Sequence, residues 1–330
     1  MTLVDFWAAA LALSLLLYVL LDGFDLGVGM LFPFAKGEAE RRQMLAAIAP
    51  VWDGNETWLV LAAMTLFGAF PLVYSLLLSA FYLPILVMLA GLILRGVAFE
   101  FRYKSTTMRP LWDAGFVAGS YAAAFIQGTA VGAIVEGLAI EDGRYAGGPF
   151  AWASPFALLC GLGLCIGYAL IGACWLAQKG SGPVRDHAFR ILPWLMGALI
   201  TFLVAVFTHA LFLKLQVLHR WTERPLLAIF PLIGAAAFAA MSVGVRRERE
   251  NLLFLWGAII FTAAFATLAF SFLPYMVPFS VTIAEAASPE SSLRFLFWGA
   301  GLFVLPITLA YTAAVYFIFR GKVRTDVEYH

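Results

Sequence analysis

The stretch LLDGFDLGVGM, residues 20–30, lies inside an apolar segment from Phe6 to Phe34 that is long enough to cross a bilayer. It carries two carboxylates, Asp22 and Asp25, well inside that segment. A charged side chain at the centre of a membrane helix costs about 2.5–3.5 kcal/mol on insertion scales. The stretch therefore predicts a membrane helix whose acids pair with a cation, reach water or move protons.

Two other stretches also place charged residues at membrane depth. PVWDGNETWLV, residues 50–60, opens a second apolar segment and carries Asp53 and Glu56. FYLPILVMLAGLILRGVAFEF, residues 81–101, holds Arg95 inside a third. Ionisable residues in membrane segments usually face a helix bundle and mark ion or proton routes. The first hundred residues are therefore the candidate functional region.

The composition excludes a soluble protein. Of the 330 residues, 63% are hydrophobic and 12% are charged, whereas soluble domains carry roughly 25% charged residues. The net charge of +1 gives no basis for binding nucleic acid. Apolar windows of about 20 residues predict a single all-α polytopic membrane domain with nine spans. The predicted spans are 6–33, 53–71, 76–101, 113–137, 152–177, 190–213, 225–245, 252–273 and 294–319.

Basic residues predict the orientation of the chain. Most of the 21 Lys and Arg residues fall in loops that follow odd-numbered spans or in the C-terminal tail. Because cytoplasmic loops carry an excess of Lys and Arg, we expect a periplasmic N-terminus and a cytoplasmic C-terminus. This orientation requires an odd number of spans and agrees with nine.

Asp22 and Asp25 are three residues apart and share one face of the first helix. Gly23 and Gly27 have the G-x-x-x-G spacing that lets another helix approach closely. We expect a second polypeptide to cover this face, since its acids and glycines would otherwise contact lipid. Alternatively, the helix ends near the cytoplasmic interface and the aspartates reach water, which suits Asp22 better than Asp25.

Asp53 and Glu56 have two competing interpretations. Asp53 at the helix start with Glu56 three residues later fits a capping box. The functional interpretation is a carboxylate entrance for protons from the cytoplasmic side. The flanking Trp52 and Trp58 suit either an interfacial aromatic belt or a wall that contacts a quinone or lies near a haem.

Arg95 cannot readily lose its proton, so it stays charged within the third span. In one interpretation its side chain extends to the cytoplasmic interface. The preferred interpretation is pairing with Asp25 or Asp53, because a buried guanidinium without a partner is costly. Arg95 would then balance the charge of the acids.

Histidines and cysteines do not predict a metal or haem site. His209 is the one histidine within a predicted span, and no second histidine lies at helical spacing from it; the others are His187, His219 and His330. The three cysteines, all near one apolar segment, point in different directions on a helix with about 100° per residue. We expect this chain to ligate neither metal nor haem.

Segments along the whole chain resemble one known family. They are DGFDLGVGML, ERRQMLAAIAPVWDGNETWLV, LRGVAFEFRYK, FLPYMVPFSVTIAEAASPESSL and PITLAYTAAVYFIFRGKV. They resemble subunit II of the cytochrome bd-type terminal quinol oxidases, and the short outer loops resemble its shorter, cyanide-insensitive branch.

The resemblance implies a role in a bacterial inner-membrane complex. That complex would be a heterodimer with subunit I, oxidising quinol and reducing O2 to water. Two b-type haems and one d-type or b-type haem would be held mainly by subunit I, so this chain would not be catalytic alone. Lipids, a bound quinone and small extra membrane subunits are further candidate partners.

For this chain the resemblance implies two four-helix bundles plus one peripheral helix. The family's proposed proton route would pass Asp53, near Asp25 and Arg95. Glu56 stands where some members carry an uncharged residue, and we include it among the proton-pathway candidates.

Two alternatives use the same acids differently. A secondary transporter binds substrate and coupling ion with midplane carboxylates and broken helices. That interpretation expects inverted repeats, which are not visible in this sequence. A structural scaffold would use the acids only to pair with Arg95.

Overall fold

The computed structural model describes residues 2–213 and 215–323, and most of them are helical. Lys214, Arg324 and His330 lie outside these ranges. The helices are α1 (Leu3–Leu31), α2 (Glu38–Ile48), α3 (Trp52–Ala69), α4 (Pro71–Ala80), α5 (Tyr82–Lys104), α6 (Arg109–Glu136), α7 (Pro155–Lys179), α8 (Gly182–Phe212), α9 (Gln216–Glu223), α10 (Ile229–Arg246), α11 (Leu253–Phe272), α12 (Ile283–Ala286), α13 (Glu290–Leu296) and α14 (Leu305–Ile318). A π-helical segment, Phe297–Val304, joins α13 to α14.

The number of spans depends on one bend. In the described residues, eight helices are long and apolar enough to cross a membrane, and there are nine if α3 and α4 form one broken span. These two helices are bent by 119° at Phe70, next to Pro71, whose ring removes a backbone N–H donor. The predicted start of the third span at residue 76 is wrong, because α4 ends at Ala80 and α5 begins at Tyr82. Both sides of the bend are apolar, so hydropathy does not reveal it.

Helix α1 lies at the centre of the molecule and packs on α3, α6 and α7. It begins with a capping box in which the Thr2 hydroxyl accepts from the Asp5 N–H and the Asp5 carboxylate accepts from the Thr2 N–H. A Cβ on Gly27 would lie 1.9 Å from the Tyr168 carbonyl oxygen on α7. The glycine face is therefore covered by the chain's own α7. The expectation that a second polypeptide covers it is wrong, since spacing alone does not identify the helix that approaches.

The largest apolar core lies where α1 meets α7. Phe24 stacks on Trp175 with ring centroids 4.2 Å apart, and both side chains are buried. The Trp175 indole N–H donates to the Ala47 carbonyl of α2 at 2.9 Å, which fixes that short helix against the bundle. A second core at the other end of the bundle includes Trp7 and Phe70.

Two short hairpins interrupt the helical pattern. β1 (Ile140–Glu141) pairs with β2 (Arg144–Tyr145), and β3 (Tyr275–Val277) pairs with β4 (Val281–Thr282), both antiparallel. Each hairpin lies in one of the long loops between predicted spans, so the all-α prediction holds for the spans only.

Candidate functional site

Arg95 is buried between two helices that each supply a carboxylate. Its Nη1 lies 2.8 Å from Asp22 Oδ1 on α1, and its Nη2 lies 3.4 Å from Glu56 Oε2 on α3. The side chains of Arg95 and Asp22 are 2% and 0% exposed, whereas that of Glu56 is 28% exposed. Pairing of Arg95 was predicted, but the predicted partners, Asp25 and Asp53, are wrong. The alternative in which Asp22 reaches water is also wrong.

Asp25 has a neutral partner instead of a cation. Its Oδ2 accepts a hydrogen bond of 2.7 Å from Asn55 Nδ2, and Asn55 also donates to the Leu21 carbonyl at 3.2 Å. The Asn55 Oδ1 in turn accepts a 2.9 Å hydrogen bond from the Tyr316 hydroxyl on α14. Asp25 is completely buried, and its Oδ1 has no hydrogen-bond partner among the described residues. Three helices thus meet at one carboxylate.

Asp53 lies on the outside of the same region. It is exposed on the surface of this chain, whereas Asn55, two residues and about 200° further around α3, is buried. The N-cap of α3 is Val51, and no side chain caps the helix. The capping-box interpretation is therefore wrong, because Asp53 lies inside the first turn and Glu56 pairs with Arg95.

The two tryptophans of the motif have different environments. The Trp52 ring lies 6.0 Å from the Arg95 guanidinium carbon and 5.2 Å from the Phe99 ring. Trp58 is completely buried, and its indole N–H has no partner among the described residues. Trp58 therefore does not belong to an interfacial belt. The partly exposed Trp52 is the one with surface left for a bound molecule.

A chain of hydrogen bonds links three helices one turn from Asp22. The Tyr168 hydroxyl donates to Gln127 Oε1 at 2.9 Å, and Gln127 Nε2 donates to the Tyr18 hydroxyl oxygen at 2.7 Å. Tyr18 precedes Asp22 by four residues and faces the same side of α1. These hydrogen bonds satisfy three polar side chains that would otherwise lie unpaired in the interior of the bundle.

Comparison with known proteins identifies the family. The family model for cytochrome bd terminal oxidase subunit II matches residues 3–319. The chain belongs to this family. It is 31% identical over 353 residues to a probable cytochrome oxidase subunit 2 of Haemophilus influenzae, covering 94% of this chain and 89% of the relative. It is 28% identical over 364 residues to the cytochrome bd-I ubiquinol oxidase subunit 2 of Escherichia coli K12, covering 98% and 96%.

A solved structure has the same fold as this member of the subunit II family. The structure of bd oxidase from Geobacillus thermodenitrificans matches with a TM-score of 0.79 at 18% identity, covering 97% of this chain and 100% of that chain. Among the sequences, the cytochrome bd ubiquinol oxidase subunit 2 of Bacillus subtilis is 28% identical over 332 residues. The resemblance of the sequence motifs to subunit II of the cytochrome bd oxidases is confirmed.

A second ionic cluster in this subunit II homologue joins α2, α5 and α6. The Arg102 guanidinium bonds both oxygens of Glu38, at 3.1 and 2.8 Å, and also bonds Asp113. Arg41 reaches the other oxygen of Asp113 at 2.9 Å. Burial raises the pKa of Glu38, but hydrogen bonds from Arg102 and Arg42 outweigh it and hold that pKa below its usual 4.5. Arg102 is buried.

The described histidines do not fit haem ligation. His187 lies in α8, and its ring stacks on Phe34. His209 lies beside Phe156, and His219 lies 3.3 Å from Glu223. No group of three or more His, Cys, Asp or Glu in the described residues could hold a metal ion. In the described part of the chain, the contacts of these three histidines are therefore with an aromatic ring or a carboxylate.

Asn55 and Tyr316 are the site residues that the sequence interpretation missed. Asn55 stands between two acids in the quoted motif, and an amide at membrane depth is a readable signal. Tyr316 has no such signal, because it is one aromatic residue in an apolar helix 261 positions away from Asn55.

Proposed function

We propose that this chain is subunit II of a bd-type quinol:oxygen oxidoreductase in the bacterial cytoplasmic membrane. The complex oxidises quinol and reduces O2 to water. Family membership over nearly the whole chain supports this proposal, as do relatives named as cytochrome bd ubiquinol oxidase subunits. The same evidence favours the oxidase over a secondary transporter.

In this proposal the haems are bound by the partner. Two b-type haems and one d-type or b-type haem lie mainly in subunit I, where they supply the electron transfer and oxygen chemistry. The chain has a periplasmic N-terminus, a cytoplasmic C-terminus and two four-helix bundles plus one peripheral helix. It belongs to the cyanide-insensitive branch.

The buried charge cluster supports a proton route through this chain. Asp22, Asp25 and Glu56 supply three carboxylates around a single guanidinium, that of Arg95. An excess of negative charge in a low-dielectric interior favours binding a proton at one of the acids. Oxygen reduction consumes protons, so a group that binds and releases them in this position serves the reaction.

The route begins at the exposed Asp53. This carboxylate lies at the start of α3, and the half-buried Glu56 lies one turn further along the same helix. Protons pass from Asp53 to Glu56 and on to Asp25, with Arg95 balancing the charge of Asp22 and Glu56. Trp52 lines the surface beside Arg95. There it contacts a quinone or lies near a haem of the partner subunit.

Subunit I covers the outer face of α3. That face combines the exposed Asp53 with exposed Val60, Met64 and Phe67. An ionised carboxylate is costly against lipid, whereas a partner subunit can supply water or a polar group. Small extra membrane subunits and lipids cover the remaining apolar faces.

The test is quinol-driven oxygen uptake, normalised to haem content, in the purified complex. Asp53→Asn keeps the size and polarity of the side chain but cannot carry a proton, so uptake per haem should fall markedly. Asp142→Asn is the matched control, because Asp142 is an exposed aspartate in a hairpin away from the cluster, and Asn tolerates its positive φ of 48°. Uptake at the wild-type rate in the Asp53→Asn complex would exclude Asp53 from the route.

A further inference from the structure

Asp25 is held by one oxygen and free at the other. Its Oδ2 accepts the hydrogen bond from Asn55, while its Oδ1 is buried without a partner among the described residues. Asn55 is itself fixed by three contacts, to Asp25, to the Leu21 carbonyl and to the Tyr316 hydroxyl. Its rotamer and the direction of its amide are therefore determined by α1 and α14 together.

The two hydrogen bonds that connect Tyr316 to Asp25 through Asn55 cannot themselves transfer protons. An amide accepts through its carbonyl oxygen and donates through its N–H groups, and it gives up no proton in either role. Hydrogen bonds in a row polarise one another, so the Tyr316 hydroxyl strengthens the bond from Asn55 to the carboxylate. A donor to a carboxylate favours its ionised form. Asn55 and Tyr316 together therefore set how tightly Asp25 holds a proton.

Asp25 is also the acid of the cluster that lacks a cation contact in the described residues. The charged and titratable groups that face it are Asp22 on its own helix, Glu56 on α3, Arg95 on α5 and Tyr316 on α14. Arg95 uses its two terminal nitrogens on Asp22 and Glu56. An added proton is least opposed at Asp25, because protonation there breaks no ion pair.

We propose that Asn55 and Tyr316 are positioning residues that hold Asp25 through Oδ2 and reserve Oδ1 as the atom that takes up and releases the proton. This inference rests on the proposed function, since it assigns the proton-binding atom of the same route. It adds the C-terminal helix α14 to the parts of the chain that tune proton uptake.

The test compares Tyr316→Phe with Tyr311→Phe in the complete purified complex. Both remove one hydroxyl from α14, but Tyr311 is exposed and its ring lies beside Gly54, whereas the Tyr316 hydroxyl donates to Asn55. Infrared spectra identify the protonated carboxyl band that Asp25→Asn removes, and the pH midpoint of that band is then measured. Loss of the Tyr316 hydroxyl frees the Asn55 amide to turn away from Oδ2, so the midpoint should rise by about half to one pH unit, the effect of losing the one hydrogen bond from Asn55. Tyr311→Phe should leave it unchanged.

Oxygen uptake gives the second readout. Protonated Asp25 is the proton donor, so uptake falls as pH rises through its midpoint, and Tyr316→Phe should move this alkaline limb to higher pH by the same amount. An Asp25 band that is absent at every pH, or a midpoint equal in both tyrosine variants, would overturn the inference. A wild-type complex with no quinol-driven uptake would instead overturn the proposed function.

Discussion

Replacement of Gly27 by alanine should separate α1 from α7 and displace Asp22 and Asp25, the two buried aspartates of α1. The added Cβ would lie 1.9 Å from the Tyr168 carbonyl oxygen, 2.7 Å from its carbonyl carbon and 3.1 Å from the Gly172 Cα. All three are backbone atoms, so no change of rotamer relieves the clash. The helices must move apart by roughly 1.5 Å, the difference between 1.9 Å and the 3.4 Å at which ordinary contact begins.

The free-energy cost of Gly27→Ala follows from the fact that the new Cβ meets backbone atoms. Overpacking typically costs about 1–3 kcal/mol, and a clash that only a backbone shift can relieve belongs at the upper end, about 3 kcal/mol. Gly197→Ala is the matched control, because nothing lies within 4 Å of a Cβ at that position in α8. Alanine there gains roughly 0.5–1 kcal/mol of helix propensity, so this variant should be as stable as the wild type or slightly more stable.

The assay is thermal unfolding of the purified complex, followed by oxygen uptake per haem. Gly27→Ala should lower the midpoint of unfolding and reduce uptake, since Asp22 and Asp25 lie on the displaced helix. Equal midpoints for Gly27→Ala and Gly197→Ala would show that the close approach of α1 and α7 is not required. The placement of the acids would then need another cause.

Three other changes test separate parts of the structure. Asp22→Asn leaves the Arg95 guanidinium buried with only a longer ion pair and should destabilise the complex by about 3 kcal/mol, the lower end for a broken buried pair, measured by denaturant unfolding. His209→Ala should leave every haem absorption band of the complex intact; loss of one band with assembly preserved would show a haem ligand in this chain. Glu38→Gln removes the negative charge that pairs with Arg102. Because the pKa of Glu38 is lowered in the folded chain, its stabilisation is present above about pH 4.5 and is lost as pH falls through the folded pKa, so the stability difference between variant and wild type should disappear in acid.

The spans could be predicted from hydropathy because each needs a long apolar window, and their termini agree with the helices to within a few residues except near the bend and at α8. The bend between α3 and α4 could not be predicted in the same way. Its residues are apolar on both sides, and Pro71 is as compatible with a helix start as with a loop. Helix α8 begins at Gly182, eight residues before the predicted span, because its polar first turns lower the hydropathy but not the helicity.

The members of the site could be predicted better than their pairing. Charge inside an apolar window identified Asp25, Glu56 and Arg95 from sequence. Hydropathy gives depth but not the direction in which a side chain points, so the choice of Asp22 over Asp25 as the partner of Arg95 follows only from how α1, α3 and α5 cross. The contribution of Tyr316 required the position of the last helix, which no local pattern determines.

The ion pair between Asp22 and Arg95 joins helices that leave the ribosome at different times. Helix α1 is synthesised first and carries two acids of the cluster, Asp22 and Asp25, while the cation that pairs with Asp22 arrives only with α5. Until α5 follows, Asp22 lacks the guanidinium with which it pairs in the folded chain. Tyr316 arrives last of all, on α14, so nascent chains that stop before the final helix contain every acid of the cluster but lack the hydroxyl that fixes Asn55.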